Sequence, residues 1–145
     1  MNTTVYEIVA AQTDEQILKC FDLLKILRPH LEKDTFIQKV RLQEKEGYHL
    51  IFIEDEEEVK SVAGFRMAQY LAWGKVLYVD DLITSPEARG IGFGTHLLKW
   101  LMGEAKKNAC DGIHLDTGIG SEEAHRLYLN LGMKINCLHL SIDFS

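Results

Sequence analysis

The sequence predicts a mixed α/β (α+β) fold: a sheet containing a central parallel strand pair, with helices on both faces. Three observations carry this. The chain has 145 residues, of which 46% are hydrophobic, enough for one domain with a full core and too few for two ordinary ones. Runs rich in β-branched and aromatic residues alternate with segments of helical periodicity in the order β-α-α-β-β-β-α-β-α-β. The span from Val76 to Thr117 reads as strand, helix, strand, and that connection makes the two strands parallel.

Val5 to Ala10 reads as a short strand. Thr13-Asp14-Glu15-Gln16 is a capping-box opening, and Ile17, Leu18, Phe21, Leu24 and Leu27 form the apolar stripe of the helix it starts, which Pro29 ends. A second helix spans Lys33 to Glu44 with Phe36, Ile37 and Val40 on its apolar face, and Gly47 closes it. Strands Tyr48 to Glu54 and Val59 to Tyr70 follow, joined through the acidic run Asp55 to Glu58, a solvated hairpin turn. Ala72-Trp73-Gly74-Lys75 turns the chain into the strand Val76 to Thr84. From Gly92 to Lys107 a helix presents Phe93, Leu97, Leu101 and Ala105 to a core, with Lys106 and Lys107 at the end where cations are favoured. Gly112 to Thr117 is the parallel strand. Ser121 caps a helix whose first turn carries Glu122 and Glu123, and Met133 to Phe144 supplies a final strand or strand pair.

Composition narrows the function. No apolar run reaches the length of a membrane span, and Met1 to Ala10 lacks the basic start and apolar stretch of a secretion signal, so a cytoplasmic protein is expected. Cys20, Cys110 and Cys137, odd in number and widely spaced, read as reduced, buried structural thiols. The six histidines show no ligand spacing, so no metal is expected. A net charge of −6 without a basic cluster argues against nucleic acid and towards a cationic small molecule.

The most informative stretch is Pro86-Glu87-Ala88-Arg89-Gly90-Ile91-Gly92-Phe93-Gly94-Thr95, between a strand and an amphipathic helix. Three glycines at alternate positions leave backbone N–H groups unshielded, and the helix start adds its own unpaired donors and positive dipole end, which makes an anion site suited to a phosphate or pyrophosphate. A Walker loop is absent, because Gly94 is followed by Thr95-His96 rather than Lys-Ser/Thr. A dinucleotide fingerprint fits poorly, with Thr95 at the third glycine, although Asp116 lies near the distance of a ribose-binding acid. The pattern R/Q-x-x-G-x-G/A is met by Arg89, Gly92 and Gly94, and Ala124-His125-Arg126-Leu127-Tyr128-Leu129-Asn130-Leu131-Gly132-Met133 follows the pattern A-x-x-x-Y-x-x-x-G-F/M. In these two motifs, in this order and spacing, the chain resembles the GNAT family of N-acetyltransferases, strongly from Val76 to Phe144 and in layout before that. Taken alone, Tyr128 also fits an apolar helix stripe with Ala124, Leu127 and Leu131.

The resemblance implies a mostly antiparallel sheet around the central parallel pair, acetyl-CoA as cosubstrate, and acetyl transfer to a primary amine by direct attack. It places the pantetheine arm on main-chain groups of Leu82, Ile83 and Thr84. It places the pyrophosphate on N–H groups of Gly90, Ile91, Gly92, Phe93, Gly94 and Thr95, with Arg89 adding charge. Ser121 stands where the family often has an asparagine; its shorter hydroxyl can still cap the helix. Tyr128 is the candidate proton donor to the departing thiolate, since a phenol of ordinary pKa about 10 stays protonated at neutral pH. Candidate bases are Asp116, Asp80 and Asp81, with deprotonation through water and no dedicated residue as the alternative. Strand alternation puts Asp80 with Leu82 and Thr84, and Asp81 with Ile83, so only one of the pair faces the cleft from a regular strand. Arg28-Pro29-His30 falls where the family shapes its acceptor pocket. The partners implied are a small-molecule or peptide amine, neither nucleic acid nor membrane, with a homodimer compatible with the sequence. The competing reading of the same loop is a non-catalytic acyl-CoA-binding or regulatory domain, against which Tyr128 speaks.

Overall fold

The computed structural model describes residues 6–118 and 120–144. They fall into two compact units, residues 1–114 and 115–145. The first holds a sheet in the order β1 (Ile8–Ala10), β2 (His49–Asp55), β3 (Glu58–Tyr70), β4 (Gly74–Thr84) and β5 (Gly112–Leu115). The first four strands pair antiparallel, and β5 joins β4 in parallel. Val5, where the first strand was expected to begin, lies outside the described residues.

Strand alternation sorts the side chains onto two faces. Leu50, Phe52, Val62 and Ile83 face α1 (Asp14–Lys19), α2 (Phe21–Leu27) and α3 (Lys33–Glu44), and share a core with Ile17, Phe21, Leu24, Phe36 and Val40. On the opposite face α4 (Phe93–Lys107) buries Phe93, Leu97, Leu98 and Leu101, and its Trp100 meets Phe65 of β3 edge-on at 6.0 Å. The expected single helix after Thr13 is therefore two. The capping box forms as read, with Gln16 N–H donating to Thr13 Oγ1 at 3.1 Å. At Cys20, however, the N–H bonds to the carbonyl three residues back, Ile17, and this tighter turn redirects the chain so that Phe21, Leu23 and Leu24 pack inward while Leu18 stays at the surface.

The turn after β3 is tied to the start of β5. Lys75 N–H donates to the Asp111 carboxylate at 3.0 Å, Asp111 N–H returns a bond to the Lys75 carbonyl at 2.6 Å, and Trp73 stacks on His114 at 4.2 Å. Since β5 starts beside Lys75 and has four residues against eleven in β4, it covers only the first part of β4. Among the described residues of the 1–114 unit, the end of β4 has β3 on one side and no strand on the other.

In the 115–145 unit, α5 (Glu122–Asn130) carries the expected stripe, with Ala124, Leu127, Tyr128 and Leu131 half-buried and Arg126 and Leu129 exposed. The expected final strand does not form: residues 133–144 make no ladder. Leu138, Leu140, Ile142 and Phe144 alternate as a strand would, yet alternation supplies only an apolar face and a strand also needs a neighbour for its N–H and C=O groups. The thiols also divide differently from expectation: Cys20 is buried, which pushes its pKa up to about 12, whereas Cys110 is half-buried and Cys137 exposed. Among the described residues no helix is long and apolar enough to cross a membrane.

The acidic run does form the β2–β3 hairpin turn, and its two central residues, Glu56 and Glu57, both have positive φ, 53° and 63°, as a type I′ turn requires. A side chain is unfavourable there by about 1 kcal/mol. Glu57→Gly should raise the melting temperature by about 2–4 °C in a thermal unfolding scan.

Candidate active site

A register shift in the β3–β4 ladder shapes the site. Gly64 pairs with Asp81 and Phe65 with Val79, so Asp80 is an extra residue with no partner on β3, a β-bulge. The bulge cancels the alternation that would send neighbouring residues to opposite faces. Asp80 and Asp81 therefore both line one cavity, which corrects the expectation that only one of them faces it.

That cavity, about 550 Å³, lies on the α1–α3 side of the sheet. Leu24 and Arg28 come from the end of α2, His30 and Leu31 from the turn after it, and Phe36, Lys39, Val40 and Gln43 from one face of α3; Tyr48, Tyr78, Asp80 and Asp81 line the sheet side. The turn is built rather than loose. Lys25 Nζ donates to the carbonyls of Pro29 at 3.0 Å and Leu31 at 2.6 Å, and Arg28 Nη2 donates to the Asp80 carbonyl at 2.9 Å, clamping the end of α2 to β4.

Each carboxylate has its own guanidinium. Arg28 Nε donates to Asp81 Oδ1 at 3.0 Å, and Arg66 holds Asp80 through Nε at 3.0 and 3.1 Å and Nη2 at 2.8 Å. Asp81 also accepts from the Tyr48 hydroxyl at 2.8 Å, while Arg66 lies over the Tyr48 ring, 5.6 Å from its centre. Burial pushes the Asp80 carboxyl above its ordinary pKa, and Arg66 offsets part of that rise. Burial, with Asp81 alongside, pushes the Tyr48 phenol well up, so it remains a donor. Tyr48 can lie there only because Gly64 has no side chain: a Cβ at Gly64 would occupy the position of the Tyr48 hydroxyl and ring. Sequence reasoning had singled out neither Tyr48 nor Arg66, since their roles depend on pairings across the sheet. Arg28 and His30, placed by resemblance, do line the cavity.

Beyond Thr84 the chain makes a 3₁₀ turn, Pro86–Ala88, and enters α4 through Gly90 and Gly92, at φ 85° and 104°. Nothing lies within 4 Å of where a Cβ on either would sit, so the backbone is open to a ligand. The first bond of α4 is His96 N–H to the Gly92 carbonyl at 2.9 Å, and no side chain caps the helix, so the N–H groups of Phe93, Gly94 and Thr95 precede the ladder and lie at the positive dipole end. The loop thus has the donor set and the space for a pyrophosphate. The Phe93 side chain is buried, its ring 4.7 Å from that of Tyr6 and tilted 59° to it; only its backbone belongs to the cradle. Ile91 and Arg89 are exposed. On β4, the Ser61 hydroxyl reaches the Ile83 carbonyl at 3.0 Å and Thr84 Oγ1 at 3.1 Å, and Leu82 pairs with Ala63.

In the 115–145 unit, burial pushes the Tyr128 phenol above its ordinary pKa. Asp116 follows the end of β5 rather than lying within it, and its carboxylate is 3.2 Å from His139 Nδ1. Ser121 holds the N-cap position of α5, at φ −94° and ψ 66° rather than in the extended region usual for a capping residue, and its side chain makes no capping bond, contrary to expectation; nearby, the His125 ring bonds the Gly118 carbonyl at 2.8 Å. Among the described residues no group of three or more His, Cys, Asp or Glu is arranged to hold a metal ion.

Residues 10–133 match the family model described as Acetyltransferase (GNAT) family. The chain is 25% identical over 115 residues to an uncharacterized N-acetyltransferase, YhdJ, of Bacillus subtilis, covering 79% of this chain and 81% of that one. It is 25% identical over 131 residues to thialysine N-epsilon-acetyltransferase of Bos taurus, covering 78% and 77%. The fold is also that of a transcriptional regulator from Bacillus halodurans C-125, with a TM-score of 0.82 at 24% identity over 97% of this chain and 100% of that one.

The glycine cradle generates a binding prediction. Coenzyme A at ~100 times its Kd should stabilise the wild-type protein by roughly 2.7 kcal/mol in a thermal shift assay, with NAD and ATP giving little. Gly92→Val should lower the unliganded melting temperature by a few degrees, because valine is strained at that φ, and should remove the coenzyme A increment altogether. Retention of the full increment would place the cradle elsewhere.

Proposed function

The chain belongs to the acetyltransferase (GNAT) family and is an acyl-CoA-dependent N-acyltransferase, and from that premise we propose that it transfers the acetyl group of acetyl-CoA directly to a primary amine seated in the cavity between α2, α3 and β4. One observation carries the reading: a single strand borders the cavity and leads into the glycine loop. The β4 bulge turns Asp80 and Asp81 into the cavity, and a few residues later the same strand runs along an uncovered edge into the Gly90–Thr95 cradle.

In this reading acetyl-CoA supplies an activated acyl carbon and a thiolate leaving group. The N–H groups from Gly90 to Thr95 hold its pyrophosphate, Arg89 adds charge, and main-chain groups of Leu82, Ile83 and Thr84 pair with the pantetheine arm. The acceptor arrives as an ammonium and must lose a proton before its lone pair can attack. Asp80 takes that proton, directly or through one water, because burial has raised its affinity for it. A backbone N–H at Leu82 or Ile83 stabilises the charge developing on the acyl oxygen. Tyr128 gives its proton to the departing sulfur, and burial keeps that proton in place at neutral pH. Asp116 is the other candidate base.

Two substitutions separate these roles, read by release of free thiol with any accepted amine. Tyr128→Phe should leave coenzyme A affinity intact and lower kcat by about 10²- to 10⁴-fold; an unchanged kcat would return Tyr128 to helix packing. Asp80 works only when ionised, and its pKa is raised, so kcat/KM should fall as pH drops through a value above an ordinary aspartate's pKa. Asp80→Asn should abolish that acid limb while Asp116→Asn preserves it; the reverse outcome makes Asp116 the base.

A further inference from the structure

The charge inside the cavity says more about the acceptor than the charge of the whole chain does. A net charge of −6 suggests a simple cation. The two cavity carboxylates are nevertheless already matched, Asp81 by Arg28 and Asp80 by Arg66. Two further basic side chains, Lys39 on α3 and His30 on the turn after α2, line the same space and have no hydrogen-bond or ion-pair partner among the described residues. The lining itself carries two fixed positive charges, Arg28 and Lys39, against two negative, Asp80 and Asp81, and Arg66 behind it answers Asp80 and, at 3.7 Å, Glu46, so Lys39 is the charge of the lining left without a carboxylate of its own. A diamine would bring a second cation up to Lys39, and a plain alkylamine would leave Lys39 unanswered.

Resting on the reading of this cavity as the acceptor site, we propose that the acceptor is a small zwitterion: an amine joined by a short chain to an anionic group, such as a carboxylate or phosphonate, that Lys39 and His30 hold at the helical wall. The helix sets the spacing. Gln43 Oε1 accepts from Arg66 Nη2 at 2.6 Å, which ties this turn of α3 to the Arg66–Asp80 pair, and Lys39 lies four residues, about 6 Å of rise, before it on the same face. An amine against Asp80 and an anion against Lys39 are thus separated by a short alkyl chain, and a cavity of about 550 Å³ holds a molecule of that size. Thialysine, the acceptor named for the Bos taurus relative, is an amino acid and so has both groups.

The test uses three acceptors of one length: an ω-aminopentanoate, the corresponding amino alcohol and the corresponding diamine. Thiol-release kinetics should give a kcat/KM for the aminopentanoate at least tenfold above the other two. Lys39→Met should bring the carboxylate-to-alcohol ratio down to about one, chiefly through KM, and Lys39→Arg should keep it. Calorimetric binding of the same three compounds to the coenzyme A-saturated protein supplies a readout independent of turnover. Preferential binding of the aminopentanoate with no acetylation would support the zwitterion site and count against the acetyltransfer reading. Equal or better binding of the alcohol or diamine, binding of none, or a ratio untouched by Lys39→Met would overturn the proposal.

Discussion

The candidate site depends on the bulge at Asp80. Two adjacent carboxylates on a regular strand point to opposite faces; a single unpaired residue in β4 puts both on one face, in one cavity. Two like charges so placed and half removed from water would repel. Arg28 and Arg66 offset this, one from the end of α2 and one from β3, and Tyr48 adds a hydrogen bond that needs the bare backbone of Gly64 beneath it. Breaking either ion pair would leave a half-buried charge without its partner, which is far more costly than the pair is worth in net stability. The arrangement is thus better understood as positioning than as a source of fold stability.

A second constraint separates the two halves of the chemistry. β5 is short, so among the described residues of the 1–114 unit the end of β4 keeps main-chain groups without a strand neighbour on one side, and the chain then passes into a loop whose glycines leave backbone N–H groups open. On the proposed reading the donor half is accordingly built largely from backbone, which many sequences can reproduce, and this is why short motifs suffice to suggest it. The acceptor half, on the same proposed reading, is built from side chains on α2, α3 and β4, with Tyr48 just before β2, brought together only by the tertiary fold. Sites of this second kind vary within a fold, so family membership identifies the reaction more firmly than the amine.

This division decides what could be read in the chain. Elements with a local signature were legible: the capping box at Thr13, helix Lys33–Glu44, the acidic hairpin turn and the glycine entry to α4 all agree with the structure. The break at Cys20 was not, because the apolar stripe runs through it and only packing against the sheet decides where the helix turns. The alternating residues of 138–144 suggested a strand, but the pattern gives no partner. Most consequential was the assumption of regular alternation at Asp80 and Asp81. A bulge is a property of the ladder between two strands, and its one trace here, Gly64 opposite Asp81, becomes meaningful only once the register is known.

The most direct measurement of the account is steady-state kinetics of Gly64→Ala, with folding verified by its cooperative melt. The added methyl displaces Tyr48 and loosens Asp81 without touching the Gly90–Thr95 cradle. The account predicts a KM for the amine raised by about tenfold or more, with the KM for acetyl-CoA essentially that of the wild type. An amine KM that does not move, or an acetyl-CoA KM that rises in parallel, would contradict the assignment of the β4 bulge to the acceptor.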